Sequence, residues 1–141
     1  MVVLSQLMES YNKFNHLKIH SQYSICEGAL KINDLSDFCK KKKIKAIGLS
    51  DTSNLCGALE FSENISKVGT QPILGTQINF KYKNEYGLLP LIAKTKKGYS
   101  SMVNLSSKSF LDSSGINPPY CKIEDLYKIS NDIILFTGSI S

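Results

Sequence analysis

Apolar residues along this chain follow two alternating patterns. Compact apolar runs, typical of buried strands, are each followed by a segment in which apolar residues return every three or four positions, as in a helix. The runs predict five strands, at 16–19, 44–50, 72–80, 88–93 and 133–137. The helical spacing predicts helices at 29–42, 55–68, 97–110 and 123–127, and residues 1–12 are weakly amphipathic, a short helix or a frayed end.

Single residues sharpen these predicted boundaries. Asn33 or Asp34 is suited to cap the first helix, and Gly69 is suited to end the second. Gly75 inside a strand indicates a bulge or a close backbone approach, and Pro90 indicates a strand that is unpaired or bulged on one side. Residues 81–87 read as a charged hairpin-like loop, and 111–121 as a loop broken by prolines.

Strands that alternate with helices predict an α/β fold with mainly parallel strands covered by helices. Functional sites in such folds lie where strands end and loops begin. A parallel sheet that stopped soon after its last strand would leave an uncovered edge. We therefore expect 14–141 to be the front part of a longer domain, preceded by an extension at 1–13.

Composition places the chain among soluble globular proteins. Its 141 residues are 42% hydrophobic, and no apolar run approaches the roughly 20 residues of a membrane helix. The N-terminus lacks the basic segment of a signal peptide. The four cysteines include no Cys-x-x-Cys pair, which excludes a zinc ribbon and favours reduced, mostly buried thiols. We expect a cytoplasmic protein that does not contact a membrane.

The net charge of +5 includes a run of lysines at 40–43. Cations at the end of a helix offset its dipole, so a solvated helix end is the first interpretation of this run. A basic nucleic-acid-binding module is the alternative, although the sequence interleaves no aromatic residues with these lysines. The chain has no arginine, the usual bidentate ligand of phosphate and guanine.

The residues that carry a family resemblance occur in order along the chain. They are His16 to Ser24, Glu27 to Ala29, Ala46 to Phe61, Gln71 to Gly75, Leu91 to Lys94, Gly98-Tyr99 and Ile134 to Ser139. Together they resemble the N-terminal polymerase and histidinol phosphatase (PHP) domain of bacterial DNA polymerase III alpha subunits. The resemblance implies a distorted seven-stranded (β/α) barrel, of which this chain would form the front part.

The resemblance also implies where metal ligands would fall. Active members of that superfamily bind up to three metal ions and cleave phosphate esters, with the metals orienting and activating a water. Ligand-type residues remain at His20, Glu27 and Asp51. Ligands are lost at five positions, which hold Lys18, Thr52, Gln77, Leu88 and Ser139. We therefore expect no metal and no catalytic residue in this chain.

Two of the retained carboxylates have other predicted roles. Asp51 is placed to cap the helix that begins near Leu55. The ammonium of Lys18 is a candidate to pair with Asp51 or Glu27, standing in for the lost cation.

Three functions remain open at this point. The first is a catalytically silent PHP domain that supports the rest of a polymerase alpha chain and docks a proofreading exonuclease subunit. The parent chain would be a DNA-directed DNA polymerase, a magnesium-dependent nucleotidyltransferase that contacts DNA. The second is an active metal-dependent phosphoesterase or 3'-5' exonuclease, and the third is the basic nucleic-acid-binding module.

Overall fold

A computed structural model of the chain describes residues 14–113 and 118–137. Helices and strands alternate for most of this length. In chain order they are α1 (Ile32–Lys42), β1 (Ala46–Thr52), α2 (Ala58–Lys67), β2 (Gln71–Tyr82), β3 (Glu85–Ala93), α3 (Lys96–Asp112), β4 (Tyr120–Lys122), α4 (Ile123–Tyr127) and β5 (Ile133–Leu135). None of the helices in the described ranges is long and apolar enough to cross a bilayer.

The sheet is organised around the long strand β2. β1 and β4 pair parallel to β2, at Gln71–Gln77 and Asn79–Lys81 respectively. β3 pairs antiparallel to β2, and β5 pairs antiparallel to β3. The α/β class is as predicted, but the pairing is mixed rather than mainly parallel, because β3 returns directly from β2 through a hairpin.

Two hydrophobic clusters hold the helices on the sheet. In the first, α1 and α2 pack on β1 through Leu35, Cys39, Ile47, Phe61 and Ile65. In the second, α3 and α4 pack on the later strands. Its buried members are Ile78, Phe80, Leu91, Met102, Leu105, Cys121, Leu126 and Ile133. β2 contributes the buried Ile78 and Phe80 to the second cluster and places Leu74 against the first, so it joins them.

The predicted strand at 16–19 and the predicted caps of α1 are wrong. Ile19 forms only an isolated bridge with Leu49, so this segment contacts β1 without a continuous ladder. α1 begins at Ile32 after Lys31, with no side-chain cap. A bridge from Ser21 to Leu30 keeps the chain extended as far as Leu30. The helix begins two residues later, so Asn33 and Asp34 lie inside its first turn rather than at its N-cap.

The region 81–87 is a hairpin as predicted, but most of its residues belong to strands rather than to a loop. β2 continues to Tyr82 and β3 begins at Glu85, so only Lys83 and Asn84 form the turn. Lys83 adopts a left-handed φ of 54° there. The short strand β4 overlaps the end of the predicted loop 111–121, and β5 ends at Leu135, before the predicted limit.

The predictions for Gly69, Gly75 and Pro90 are confirmed. Gly69 follows α2 with a φ of 78°. A Cβ on Gly75 would lie 2.5 Å from the carbonyl oxygen of Leu91, so only glycine fits this close approach. The carbonyl of Pro90 accepts from the N–H of Phe136, beyond the end of β5. A residue's N–H and C=O point to the same edge of a strand, so the missing donor of Pro90 faces the β5 edge, where the strand pairing ends at Leu91.

The cysteines divide evenly between core and surface. Cys39 and Cys121 are buried, whereas Cys26 and Cys56 are exposed, and all four are free thiols. The expectation of mostly buried thiols is therefore met for two of them. Cys26 lies in a surface loop, where its φ is 66°.

Candidate functional site

A tight loop after Ile19 forms one wall of the candidate site. The N–H groups of Ser24, Glu27 and Gly28 donate to carbonyl oxygens within the loop, and Gln22 donates to Leu30. A Cβ on Gly28 would lie 2.0 Å from the carbonyl oxygen of Ser21. The loop can close this tightly only with glycine at position 28, and closure turns Ser21 and Ser24 toward the end of β1.

Asp51, at the end of β1, is buried with 1% of its surface exposed. Its Oδ1 accepts from the main-chain N–H of Ser21 at 2.7 Å and from the hydroxyl of Ser24 at 2.6 Å. Its Oδ2 accepts from the hydroxyl of Ser21 at 2.8 Å. The predicted capping role is wrong: α2 has Gly57 at its N-cap with no side-chain bond, because the Asp51 carboxylate is directed to the loop.

A second set of polar side chains meets beside Asp51. The Nε2 of Gln77, which is 2% exposed, lies 3.0 Å from the Nε2 of His20 and donates to the Thr52 hydroxyl at 3.3 Å. The Thr52 hydroxyl donates to Oε2 of Glu27. Three separate segments of the chain therefore converge, as the resemblance implies, and bring together His20, Glu27, Asp51, Thr52 and Gln77.

The donors and acceptors of this network select one tautomer of the neutral His20 ring. The Gln77 nitrogen is a donor only, so Nε2 of His20 must accept from it. Nδ1 therefore carries the proton of the neutral ring, and it faces the hydroxyl of Ser24 at 3.3 Å and Oε2 of Glu27 at 3.6 Å. The Ser24 hydroxyl gives its own hydrogen to Asp51, so it accepts from His20. Every hydrogen in the chain from Gln77 to Asp51 is accounted for.

The other positions that the resemblance assigns to the site lie elsewhere. Lys18 is exposed and forms no ion pair within residues 14–113 and 118–137, so its predicted pairing with Asp51 or Glu27 is wrong. Leu88 is 37% exposed in β3, opposite Asn79. Ser139 lies outside the described residues.

Sequence reasoning missed four side chains that build the site. Ser21 and Ser24 supply hydroxyl donors to Asp51, and Tyr23 donates to Oε2 of Glu60 at 2.7 Å, which raises the pKa of Tyr23. Asn54 ties the same loop down, because its amide donates to the carbonyl of Tyr23 at 3.0 Å. The available signal was the pair of serines that follow His20, but only the fold shows that they reach Asp51.

The geometry bears on whether metal ions fit here. Within the described part of the chain, no three His, Cys, Asp or Glu side chains are grouped so that they could hold a metal ion. The lone pair of His20 Nε2 faces an amide hydrogen, and both oxygens of Asp51 accept hydrogen bonds. A metal would have to displace these donors.

Comparison with known families identifies the family of the chain. The model of the PHP domain family matches residues 16–141, so the chain belongs to that family. Curated relatives are DNA polymerase III alpha subunits. One from Borreliella burgdorferi is 33% identical over 94% of this chain, and one from Rickettsia prowazekii is 37% identical over 86%. The chain spans only 12% and 10% of the length of those two relatives.

Solved structures support the fold class. A protein from Bifidobacterium adolescentis that is classed as a metal-dependent phosphoesterase aligns with a TM-score of 0.51 at 16% identity. The alignment covers 69% of this chain and 34% of the phosphoesterase chain. An amidohydrolase from Chromobacterium violaceum, described with bound sulfate and no metal, aligns with a TM-score of 0.55 at 15% identity, over 67% and 32%. The chain thus forms part of a barrel of the PHP and amidohydrolase type.

Proposed function

We propose that this chain is the front part of the PHP domain of a bacterial DNA polymerase III alpha subunit, with a hydrogen-bonded network where active relatives bind metals. In this proposal the domain is structural: it supports the remainder of the alpha chain and docks the proofreading exonuclease subunit. Polymerisation, with its magnesium ions and DNA contacts, belongs to the parent chain in the cytoplasm. No catalytic residue is assigned to these 141 residues.

The pairing of Gln77 with His20 carries the proposal. A glutamate at position 77 would offer a metal two anionic oxygens, whereas the amide offers a hydrogen to the nitrogen that would otherwise be a ligand. The contact of 3.0 Å is supported by a second contact of the same amide to Thr52. Thr52 supplies a hydroxyl where the resemblance expects an imidazole.

The surroundings of Asp51 support the same conclusion. Three hydrogen-bond donors, all from Ser21 and Ser24, satisfy its carboxylate, so its charge is offset without a cation. Multinuclear sites need several anionic or imidazole ligands with free lone pairs to replace the hydration of the ions. The residues present therefore do not fit such a group.

Manganese relaxation of the two histidines tests the silent site. The only histidines are His16 and His20, and His16 is exposed, so it serves as the internal control. Long-range ¹⁵N–¹H spectra at pH 8 should show His20 as the neutral tautomer protonated at Nδ1. Adding Mn²⁺ should broaden His20 no more than His16. Selective broadening of His20 at micromolar Mn²⁺ would overturn the proposal and favour the metal-dependent phosphoesterase.

A second experiment tests the docking role. We expect the 141-residue chain, or the alpha chain that contains it, to co-elute with the proofreading exonuclease subunit on a sizing column. The exonuclease alone and a mixture with an unrelated domain of the same size are the controls. Separate elution at micromolar concentrations of both partners would remove the docking role and leave the structural one.

A further inference from the structure

One face of the β2–β3 hairpin combines tyrosines with lysines. Residues directly opposite each other on paired strands share a face of the sheet. Lys81 lies opposite both Tyr86 on β3 and Lys122 on β4, and Asn79 lies opposite both Leu88 and Tyr120. We call these six residues the hairpin face. They are Asn79, Lys81, Tyr86, Leu88, Tyr120 and Lys122.

The two rings and one ammonium of the hairpin face form a compact group. The ring centroids of Tyr86 and Tyr120 are 5.3 Å apart and the rings are nearly perpendicular, at 83°. The Nζ of Lys81 lies 5.4 Å from the first centroid and 5.6 Å from the second. Tyr86 is 45% exposed, so its ring remains open to solvent.

The hairpin face is separate from the core and free of carboxylates. The intervening residues Ile78, Phe80 and Cys121 point the other way and are buried in the second hydrophobic cluster. Glu85 lies opposite Tyr82, on the face away from Lys81. Within residues 14–113 and 118–137, neither lysine of the hairpin face forms a salt bridge. The face is therefore cationic as well as aromatic.

We propose that the hairpin face binds single-stranded nucleic acid. An unpaired base stacks on the exposed ring of Tyr86, and the neighbouring phosphates contact the ammonium groups of Lys81 and Lys122. Lys81 Nζ lies beside both rings, at 5.4 and 5.6 Å from their centroids, so a positive charge sits next to the stacking surface. A strand in which bases alternate with phosphates offers a partner to both the ring and the charge. This site is distinct from the network at Asp51, and the inference does not depend on the proposed function.

Charge complementarity favours this ligand over a polypeptide strand. Bases supply flat rings and phosphates supply anions, which match the two chemistries of the hairpin face. The lysine run at 40–43 offers charge alone: in the described residues, cation–π contacts involve only Lys81 and Lys83. The hairpin face thus places aromatic rings beside lysines, the combination that the lysine run at 40–43 lacks. It is therefore the better candidate for nucleic-acid binding.

Binding of the 141-residue chain to a fluorescein-labelled oligothymidylate of about 15 nucleotides tests the proposal by anisotropy. Tyr86→Ala should weaken binding at least about fivefold, because stacking on that ring is lost. Lys81→Gln should reduce the slope of log affinity against log salt by about 0.7. Tyr127→Ala and Lys67→Ala, at exposed positions away from the hairpin, should leave the affinity and the slope unchanged.

Two further measurements keep the outcome clear. Tyr86→Phe retains the ring and should bind within about twofold of the native chain. A duplex of the same length should bind more weakly than the single strand, because its bases are already stacked. Equal binding of duplex and single strand, equal losses for Tyr86→Phe and Tyr86→Ala, or no binding at low salt would each overturn the proposal. These results leave the manganese experiment on His20 unaffected, so the two proposals fail separately.

Discussion

Asp51 and Asp125 are both buried, yet their negative charges are offset in opposite ways. Asp51 accepts from three neutral donors of one loop, with no cation among the described residues in salt-bridge contact. Asp125, in α4, lies between two ammonium groups, with Lys108 Nζ at 2.6 Å and Lys128 Nζ at 2.9 Å. Asp51 therefore depends on fixed dipoles, whereas Asp125 depends on long side chains that reach in from solvent.

The difference teaches what each carboxylate does for the fold. Removing the Asp51 carboxylate would leave buried hydrogen-bond donors without an acceptor. Each buried donor without an acceptor lowers the free energy of unfolding by about 1–3 kcal/mol. Removing Asp125 would release Lys108 and Lys128, whose side chains are 40% and 71% exposed and can return to water. Asp51, where the resemblance places a metal ligand, is thus the carboxylate on which we expect the native structure to depend more.

The largest effect is expected from Asp51→Ala. Three donors lose their acceptor, so the free energy of unfolding should fall by about 3 kcal/mol or more, measured by urea denaturation. Asp37→Ala, at an exposed position in α1, is the matched control and should change it by less than about 0.5 kcal/mol. A loss below about 1 kcal/mol for Asp51→Ala would show that the loop rearranges to satisfy itself, which would contradict the comparison.

Asp125→Asn should have a smaller and pH-dependent effect. The hydrogen bond from Lys108 holds the pKa of Asp125 below its ordinary value. A lowered pKa stabilises the fold above the unfolded pKa of about 3.9, and this contribution is lost as pH falls through the folded pKa. We expect a loss of about 1 kcal/mol at pH 7 that shrinks below pH about 4. A difference between native chain and variant that is constant from pH 7 to pH 3 would contradict this.

High salt should reduce the destabilisation by Asp125→Asn but not that by Asp51→Ala. Partly exposed ion pairs are screened at high ionic strength, whereas bonds from neutral donors in the interior are not. In 1 M sodium chloride, where the screening length is about 3 Å, the effect of Asp125→Asn should fall by roughly half, and that of Asp51→Ala should persist. Urea titrations of both variants at low and high salt measure this, and equal attenuation would remove the distinction.

The smallest effect is expected in native-state thiol labelling. Cys39 lies in the first hydrophobic cluster and Cys121 in the second, where burial raises its pKa to about 11. Iodoacetamide should therefore modify the exposed Cys26 and Cys56 first, as quantified by peptide mass spectrometry. Asp51→Ala should accelerate labelling of Cys39 more than that of Cys121, and Asp125→Asn should do the reverse. Equal acceleration of both thiols would mean that the clusters open as one unit.

The sequence predicted the elements that depend on local periodicity. α4 has the predicted bounds, and α3 and β1 lie within two residues of them, because their apolar spacing alone defines them. β4 was missed because three residues after two prolines carry no periodicity, and they form a strand only by pairing with the far end of β2. The hairpin at 81–87 was predicted, but Lys81 and Tyr86 were assigned to its loop, because their pairing as strand residues is known only from the fold.

In the candidate site too, the residues could be named from the sequence but their long-range partners could not. The resemblance identified His20, Glu27, Asp51, Thr52 and Gln77, and the structure brings them together. It misplaced the partners of Asp51, because Ser21 and Ser24 lie some 30 positions earlier in the chain and reach the carboxylate only through a tightly closed loop. Spacing along the chain cannot show which distant hydroxyl will satisfy a buried charge.

The hydrogen-bonded edges of β2 have a consequence for solvent exchange. β1 and β4 follow each other along one edge, and β3 covers the other from Gly75 to Tyr82, so water has little access to the main chain of this strand. Its central amide protons should therefore be the last to exchange for deuterium, after those of every neighbouring strand. The slowest hydrogen exchange in the described residues would then occur in β2, the strand that carries Gln77.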